Sequence, residues 1–154
     1  MGQNKFNKYF LILISFFAIY GCQFEWVEER RIYLNKIEFG LSVKDAFKQK
    51  SIKYFSEDSS NNDFILNISN LKFKKKNFYG GSGARAQQIE IIGQLEYSFS
   101  NMTSNYGGIL EISGWIPVNE NNPQAEMTAQ QKMIEELEFL LLEDLLQEYW
   151  LIES

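Results

Sequence analysis

From residue 88 to residue 99 the chain alternates. Ile89, Ile91, Leu95, Tyr97 and Phe99 hold odd positions, and Gln88, Glu90, Gln94, Glu96 and Ser98 hold even ones. Side chains on a β-strand point alternately to opposite faces, so this pattern predicts a long strand with one buried and one wet face. It recurs at Leu110, Ile112, Gly114, Ile116 and Val118, predicting a neighbouring strand. A third run, residues 64–73, sets Phe64, Leu66 and Ile68 on one face. Residues 32–39 (Ile-Tyr-Leu-Asn-Lys-Ile-Glu-Phe) are rich enough in β-formers to read as one strand, ended by Gly40. Two segments show helical spacing instead. Val43, Ala46 and Phe47 lie opposite Lys44, Lys48 and Lys50, with Ser42 as N-cap. From about residue 128 to 152, Ile134, Leu137, Leu141 and Leu145 form a stripe that Leu140, Leu142 and Leu146 widen. Glu135, Glu136, Glu138, Glu143 and Asp144 load the rest of that helix with charge expected to be solvated.

The connections carry turn chemistry. Residues 56–63 form a polar loop, residues 74–84 a hairpin connection containing Tyr79-Gly-Gly-Ser-Gly, and residues 101–107 a turn. Pro117 and Pro123 bracket an Asn-Glu-Asn-Asn loop. The predicted order is β-α-β-β-β-α. It implies an α+β domain over residues 32–154, with a four-stranded antiparallel or mixed sheet and two helices packed on one face. The opposite, polar face is left to water or a partner. Tyr149 and Trp150 are expected to close the core under the sheet.

The start of the chain follows another rule. Lys5 and Lys8 precede Tyr9-Phe-Leu-Ile-Leu-Ile-Ser-Phe-Phe-Ala-Ile-Tyr20, a positive n-region before an apolar stretch of signal-peptide length. Ile19-Tyr20-Gly21-Cys22 resembles a bacterial lipobox, with Tyr20 where that pattern has a small residue. This predicts a leader over residues 1–21, a lipidated Cys22, and a tether over residues 22–31. Several acyl chains anchor firmly where one binds reversibly. The plainer alternative is an ordinary signal peptide or apolar anchor with an incidental cysteine. Gln23, where an Asp would differ, resembles the outer-membrane sorting pattern of Gram-negative lipoproteins.

Composition narrows the chemistry. The chain has 154 residues, no histidine and one cysteine, so the commonest general base is missing and no intrachain disulfide or thiolate cluster forms. Its net charge is −5, and the leader holds two lysines and no acid, so the remainder is more acidic still. An acidic surface argues against nucleic-acid binding. The adjacent carboxylates Glu135 and Glu136 do not face each other on a helix. No cofactor, metal or catalytic residue is expected, and a carboxylate hydrolase is the remaining enzyme class.

One charge pattern stands out. Lys72, Lys74, Lys75 and Lys76 are a dense basic run, Arg85 follows the Gly-rich turn, and Lys132 lies near the start of the last helix. In a meander these segments share one edge of the sheet, where the cations could converge on phosphate. The ordinary reading of such a run is a solvated hairpin tip. Trp115 falls on the mostly polar face of its strand, beside Glu111 and Ser113. There it covers the core edge, pairs across strands or meets a partner.

Four segments, in order, resemble the LPS-assembly lipoprotein family, the small LptE-type partner of the outer-membrane barrel LptD. They are Cys22-Gln-Phe24-Glu-Trp26; Leu41-Ser-Val-Lys-Asp-Ala-Phe-Lys-Gln-Lys-Ser-Ile52; Ala86-Gln-Gln-Ile-Glu-Ile-Ile; and Val118-Asn-Glu-Asn-Asn-Pro-Gln-Ala with Met133-Ile-Glu-Glu-Leu137. The third opens with Gln87-Gln88 where the family commonly has an acidic-aromatic pair. The resemblance implies a membrane-anchored domain on the periplasmic side of the outer membrane, seated in a large β-barrel, helping to assemble it and to deliver lipopolysaccharide. It also implies lipopolysaccharide-contacting basic residues on the segments of Lys72, Lys74, Lys75, Lys76, Arg85 and Lys132. The alternative within the same compartment is another small outer-membrane lipoprotein, acting as a periplasmic scaffold or lipid-binding module.

Overall fold

The structure, a computed structural model, describes residues 31–58, 63–80, 86–118 and 121–153. The predicted leader, Cys22, the tether up to Arg30, and Arg85 lie outside these residues. The elements are β1 (Ile32–Leu34), β2 (Lys36–Phe39), α1 (Asp45–Ser51), β3 (Phe55–Glu57), β4 (Ile65–Tyr79), β5 (Ala86–Ser100), β6 (Asn105–Pro117) and α2 (Pro123–Glu153). A four-stranded mixed sheet has the order β2-β4-β5-β6, and β1 pairs with β3 in a separate parallel ribbon. β4, β5 and β6 form the expected antiparallel meander, while β2 joins β4 in parallel, with Lys36 opposite Ile65 and Phe39 opposite Ile68. Phe47 of α1 and Leu141 and Leu145 of α2 share a core with Leu66, Leu95 and Phe99, so both helices cover one face.

The expected strand over residues 32–39 is two strands in two sheets. Ile32 and Leu34 are buried, and the half-buried positions then move to Ile37 and Phe39. The apolar phase slips by one at Asn35, whose N–H donates to the Phe64 carbonyl at 2.9 Å. β3 falls partly in the predicted polar loop. It is too short to show a period, but its Phe55 is fully buried opposite Ile32.

Ser42 is not the cap of α1. That position is Lys44, which makes no side-chain capping bond. The Ser42 hydroxyl donates instead to Asn70 Oδ1 at 2.9 Å. α2 starts earlier than its apolar stripe suggests, because Asn122 caps it, accepting the Ala125 N–H at 3.1 Å, and Pro123 takes the first helical position, where a missing N–H costs nothing. At its other end Tyr149 is buried but Trp150 is 40% exposed, so of the two only Tyr149 closes the core, with Leu146 and Ile152 packed beside it.

The helix charges are not all solvated either. Glu138 is buried and receives Lys50 Nζ of α1 at 2.7 Å, which ties the two helices together. Glu148 Oε2 accepts the Tyr97 hydroxyl at 2.9 Å. Burial, reinforced by that carboxylate, pushes the Tyr97 phenol up to about 12. Its ordinary value is near 10. An acid whose folded pKa is raised contributes stability in full below its unfolded pKa, and loses it as pH rises through the folded one. Tyr97→Phe, with nothing to ionise, is therefore expected to flatten the fall in urea midpoint between about pH 10 and pH 12. Parallel curves for the two proteins would remove Tyr97 as the cause.

Candidate functional site

The site is set by one irregularity in β4. Leu66 and Ile68, at even positions, point into the core. Continued without a break, that phase would send Lys72, Lys74 and Lys76 in after them. A bulge between Ile68 and Asn70 adds one residue, Ser69, and moves the inward phase to Leu71 and Phe73. A one-residue shift turns every later side chain to the other face. Gly40 makes room for this bulge. Its N–H donates to the Ile68 carbonyl at 2.8 Å, and a Cβ on it would lie 1.9 Å from the Ser69 carbonyl oxygen.

Beyond the bulge β4 runs six residues further than its apolar pattern, to Tyr79, because β5 pairs with it throughout. Pairing overrides the weak strand preference of lysine. The basic run is therefore strand, not hairpin loop, and alternation divides it. Lys72, Lys74 and Lys76 stand on the open face, across from Gln94, Ile92 and Glu90. Lys75 stands on the helix face, where its amine bonds the Gln130 side chain of α2. Lys132 is two residues from Gln130, about 200° further round the helix. There it lines a surface concavity with Asn122, Gln124, Ala125, Thr128 and Ala129. The structure thus gathers Lys72, Lys74 and Lys76 and separates them from Lys75 and Lys132. Arg85 lies outside the described residues.

The rows across the open face read Lys72–Gln94–Glu111, Lys74–Ile92–Ser113, Lys76–Glu90–Trp115 and Phe78–Gln88–Pro117. Gln94 bonds Glu111, and Lys76 lies 4.0 Å from Glu90. Exposed pairs of that kind add little stability. Lys72 and Lys74 form no ion pair among the described residues. Phe78 and Trp115 lean together across β5 with ring centroids 4.5 Å apart, each a little under half exposed. Trp115 thus pairs across strands rather than covering the core. Phe78 escapes a sequence reading that ends β4 at Phe73, although its even spacing from Lys72, Lys74 and Lys76 carries it to the same face. Chemically the face offers ammonium groups beside an aromatic pair, with the carboxylates of Glu38, Glu90, Glu96 and Glu111 interspersed. The lysines Lys72, Lys74 and Lys76 run together along β4, so a phosphate can meet them locally although the face as a whole is not basic.

The chain matches no protein-family model and none of the curated proteins. Its fold does recur in solved structures. Rare lipoprotein B from Shewanella oneidensis shares it with a TM-score of 0.66 and 12% identity, over 79% of this chain and 96% of that one. An uncharacterized lipoprotein B from Nitrosomonas europaea shares it with a TM-score of 0.58 and 9% identity, over 75% of this chain and 80% of that one. At such identities the likeness is one of fold. The domain has the fold of these lipoproteins.

Proposed function

We propose that this protein is a lipoprotein of the outer membrane, anchored through acyl chains on Cys22. Its domain serves a large outer-membrane β-barrel as plug and assembly partner, and helps deliver lipopolysaccharide to the outer leaflet. The observation that carries the reading is the fold shared with nearly the whole of the Shewanella rare lipoprotein B. The lipobox-like Cys22 and the four family-like segments agree with it. A polar sheet face suits a barrel lumen, which is itself polar. In this role the domain binds and positions, without catalysis. Lys72, Lys74 and Lys76 are its first candidates for lipid A phosphates. Lys75 and Lys132 contribute there only if the ligand reaches past the sheet, and Arg85, outside the described residues, remains a candidate from the sequence.

Affinity purification from detergent-solubilised outer membrane tests the role. The acylated protein should bring down a barrel several times its own size, and Cys22→Ala should remain unprocessed by the lipoprotein route. Recovery of a lone monomer, or a mature chain with a free thiol at Cys22, would sink the reading. For the ligand, changing Lys72, Lys74 and Lys76 to Gln should weaken lipopolysaccharide binding at low salt, and added salt should shrink the difference. Lys44, Lys48 and Lys53, at or beside α1, changed to Gln give a control of equal net charge, whereas Lys36 shares the open face and is left in place. Lys50 is unsuitable as a control because it holds the buried Glu138.

A further inference from the structure

The two edges of the four-stranded sheet differ in charge. Past the bulge, β4 carries Lys72, Lys74, Lys75 and Lys76. At the other edge, β6 has no lysine or arginine, a single acid at Glu111, and a proline only at its last residue. Among the described residues no strand pairs with its outer side, and its ladder with β5 runs without a bulge to turn it away. Charge, proline and bulges are the usual protection of an edge, so β6 is fit to accept a further strand.

The ladder also fixes which backbone groups wait there. The Val118 N–H donates to the Gln87 carbonyl at 3.1 Å, and the Asn101 N–H to the Ser104 carbonyl at 2.9 Å. Both pairs continue the β5–β6 register, one at each end. Hydrogen-bonded and non-hydrogen-bonded pairs alternate along an antiparallel ladder, so the even residues of β6 direct their N–H and carbonyl groups to β5. Those of Gly107, Ile109, Glu111, Ser113 and Trp115 therefore point outward. The same residues stand on the open face, where Ile109 is 66% and Trp115 45% exposed. On the helix side, Leu110 and Ile112 are only half-buried at this end of the core.

We propose that β6 pairs with β6 of a second copy of this chain, antiparallel about a two-fold axis at Ile112, joining the two sheets into one. Such an edge has to match itself in reverse, and this strand does. Ile109 falls opposite Trp115 of the second copy, a β-branched and aromatic pair of the kind that stabilises neighbouring strands. Glu111 falls opposite Ser113, so no two charges meet. Ile112 falls opposite itself, and Leu110 opposite Gly114, where Met133 of α2 fills the space above the strand. The outward backbone groups meet outward groups throughout. A register two residues away in one direction sets Glu111 opposite its own copy. In the other direction it sets Glu111 opposite Trp115, and Ile109 opposite Pro117, which has no N–H. The inference concerns the edge rather than the open face. It goes beyond the proposed function and needs neither the barrel nor lipopolysaccharide.

Sedimentation equilibrium of the mature chain in density-matched detergent reads its mass, and mass spectrometry reports separately whether Cys22 is acylated. The chain should be a dimer that dissociates on dilution. Ser113→Glu sets two carboxylates face to face in each of the two rows that the axis relates. At about threefold for each row, it should raise the dissociation constant about tenfold. Ser113→Lys, facing Glu111, should leave the dimer as tight or tighten it. Residue 113 is exposed, so both variants should melt like the parent. Amide exchange at Ile109, Glu111 and Ser113 should slow as the concentration rises, while Leu110 and Ile112, bonded to β5, should not respond. A chain that is monomeric at about 0.1 mM would overturn the proposal, and so would a dimer indifferent to the sign of the charge at residue 113. Protection of the odd-numbered amides only when a barrel protein is added would also overturn it, and would give the edge to that protein.

Discussion

Leu141→Ala is expected to destabilise the domain by about 2–5 kcal/mol, the range for a fully buried leucine that leaves a cavity. Leu141 is fully buried midway along α2. It lies over Gly93, where a Cβ would come within 3.1 Å of its Cδ1, and the Phe73 ring approaches the same point to 3.0 Å. Gly93 has no side chain to swing into the space, and the Phe73 ring already packs at this point. The site relaxes poorly, which favours the upper half of the range. For a domain of this size the melting midpoint should fall by roughly 10 °C. Leu151→Ala, on the same helix but 71% exposed, should stay within about 0.5 kcal/mol. Chemical denaturation of both variants decides the matter, and equal costs would show that α2 is packed in another rotation.

Gly40→Ala is expected to cost as much through a single methyl group. Its Cβ would meet the Ser69 carbonyl oxygen at 1.9 Å and the Ser69 carbonyl carbon at 2.8 Å, and both are backbone atoms inside a paired strand. No rotamer relieves such a clash, so β2 must part from β4 or the bulge must move. The cost should lie at or above the upper end of the roughly 1–3 kcal/mol that overpacking brings. The bulge also decides which way the lysines face, so the variant should disturb the open face from a distance. Amide exchange in β4 should rise around Ser69 and Asn70 before it rises at Lys74. A fully stable Gly40→Ala protein would mean that the approach of β2 to the bulge is looser than described.

Both sites show what a sequence reveals and what it hides. The dry face of β5 was legible because apolar residues hold odd positions from Ile89 to Phe99, apart from Gly93, and Ile91, Leu95 and Tyr97 are buried as that spacing requires; Ile92, buried at an even position on the open face, is the exception. The stripe of α2 was legible for the same reason, with Leu137, Leu141 and Leu145 buried. Phase breaks were harder to see. The slip at Asn35 and the bulge at Ser69 are each one residue long, and each looks like noise inside a β-rich run. Yet Leu66 and Ile68 on even positions, followed by Leu71 and Phe73 on odd ones, are the trace of the bulge, and the division of the lysines follows from it. The burial of Glu138 left no local trace, because Lys50, its partner, is 88 residues away in sequence. The Phe78–Trp115 pair required β4 to be drawn to its full length before the two rings could be placed on one face.

The parallel pairing of β2 with β4 also sets an order of assembly. β4, β5 and β6 follow one another through short connections, so their ladders close small loops and form cheaply. β2 has to wait for β4, with α1 and β3 between them in the chain, and its four rungs repay a longer closure. A strand made early during synthesis is thus placed last in the four-stranded sheet. The Gly40→Ala protein reads this directly. Its folding rate should match the parent's while its unfolding rate rises, because the contact it breaks forms after the rate-limiting meander is in place. A slowed folding rate would put β2 in the nucleus instead. β2 covers β4 only from Ile65 to Ile68, so among the described residues the edge of β4 beyond the bulge stays unpaired in the folded domain, and Lys72, Lys74, Lys75 and Lys76 along it act as guards against strand-to-strand aggregation.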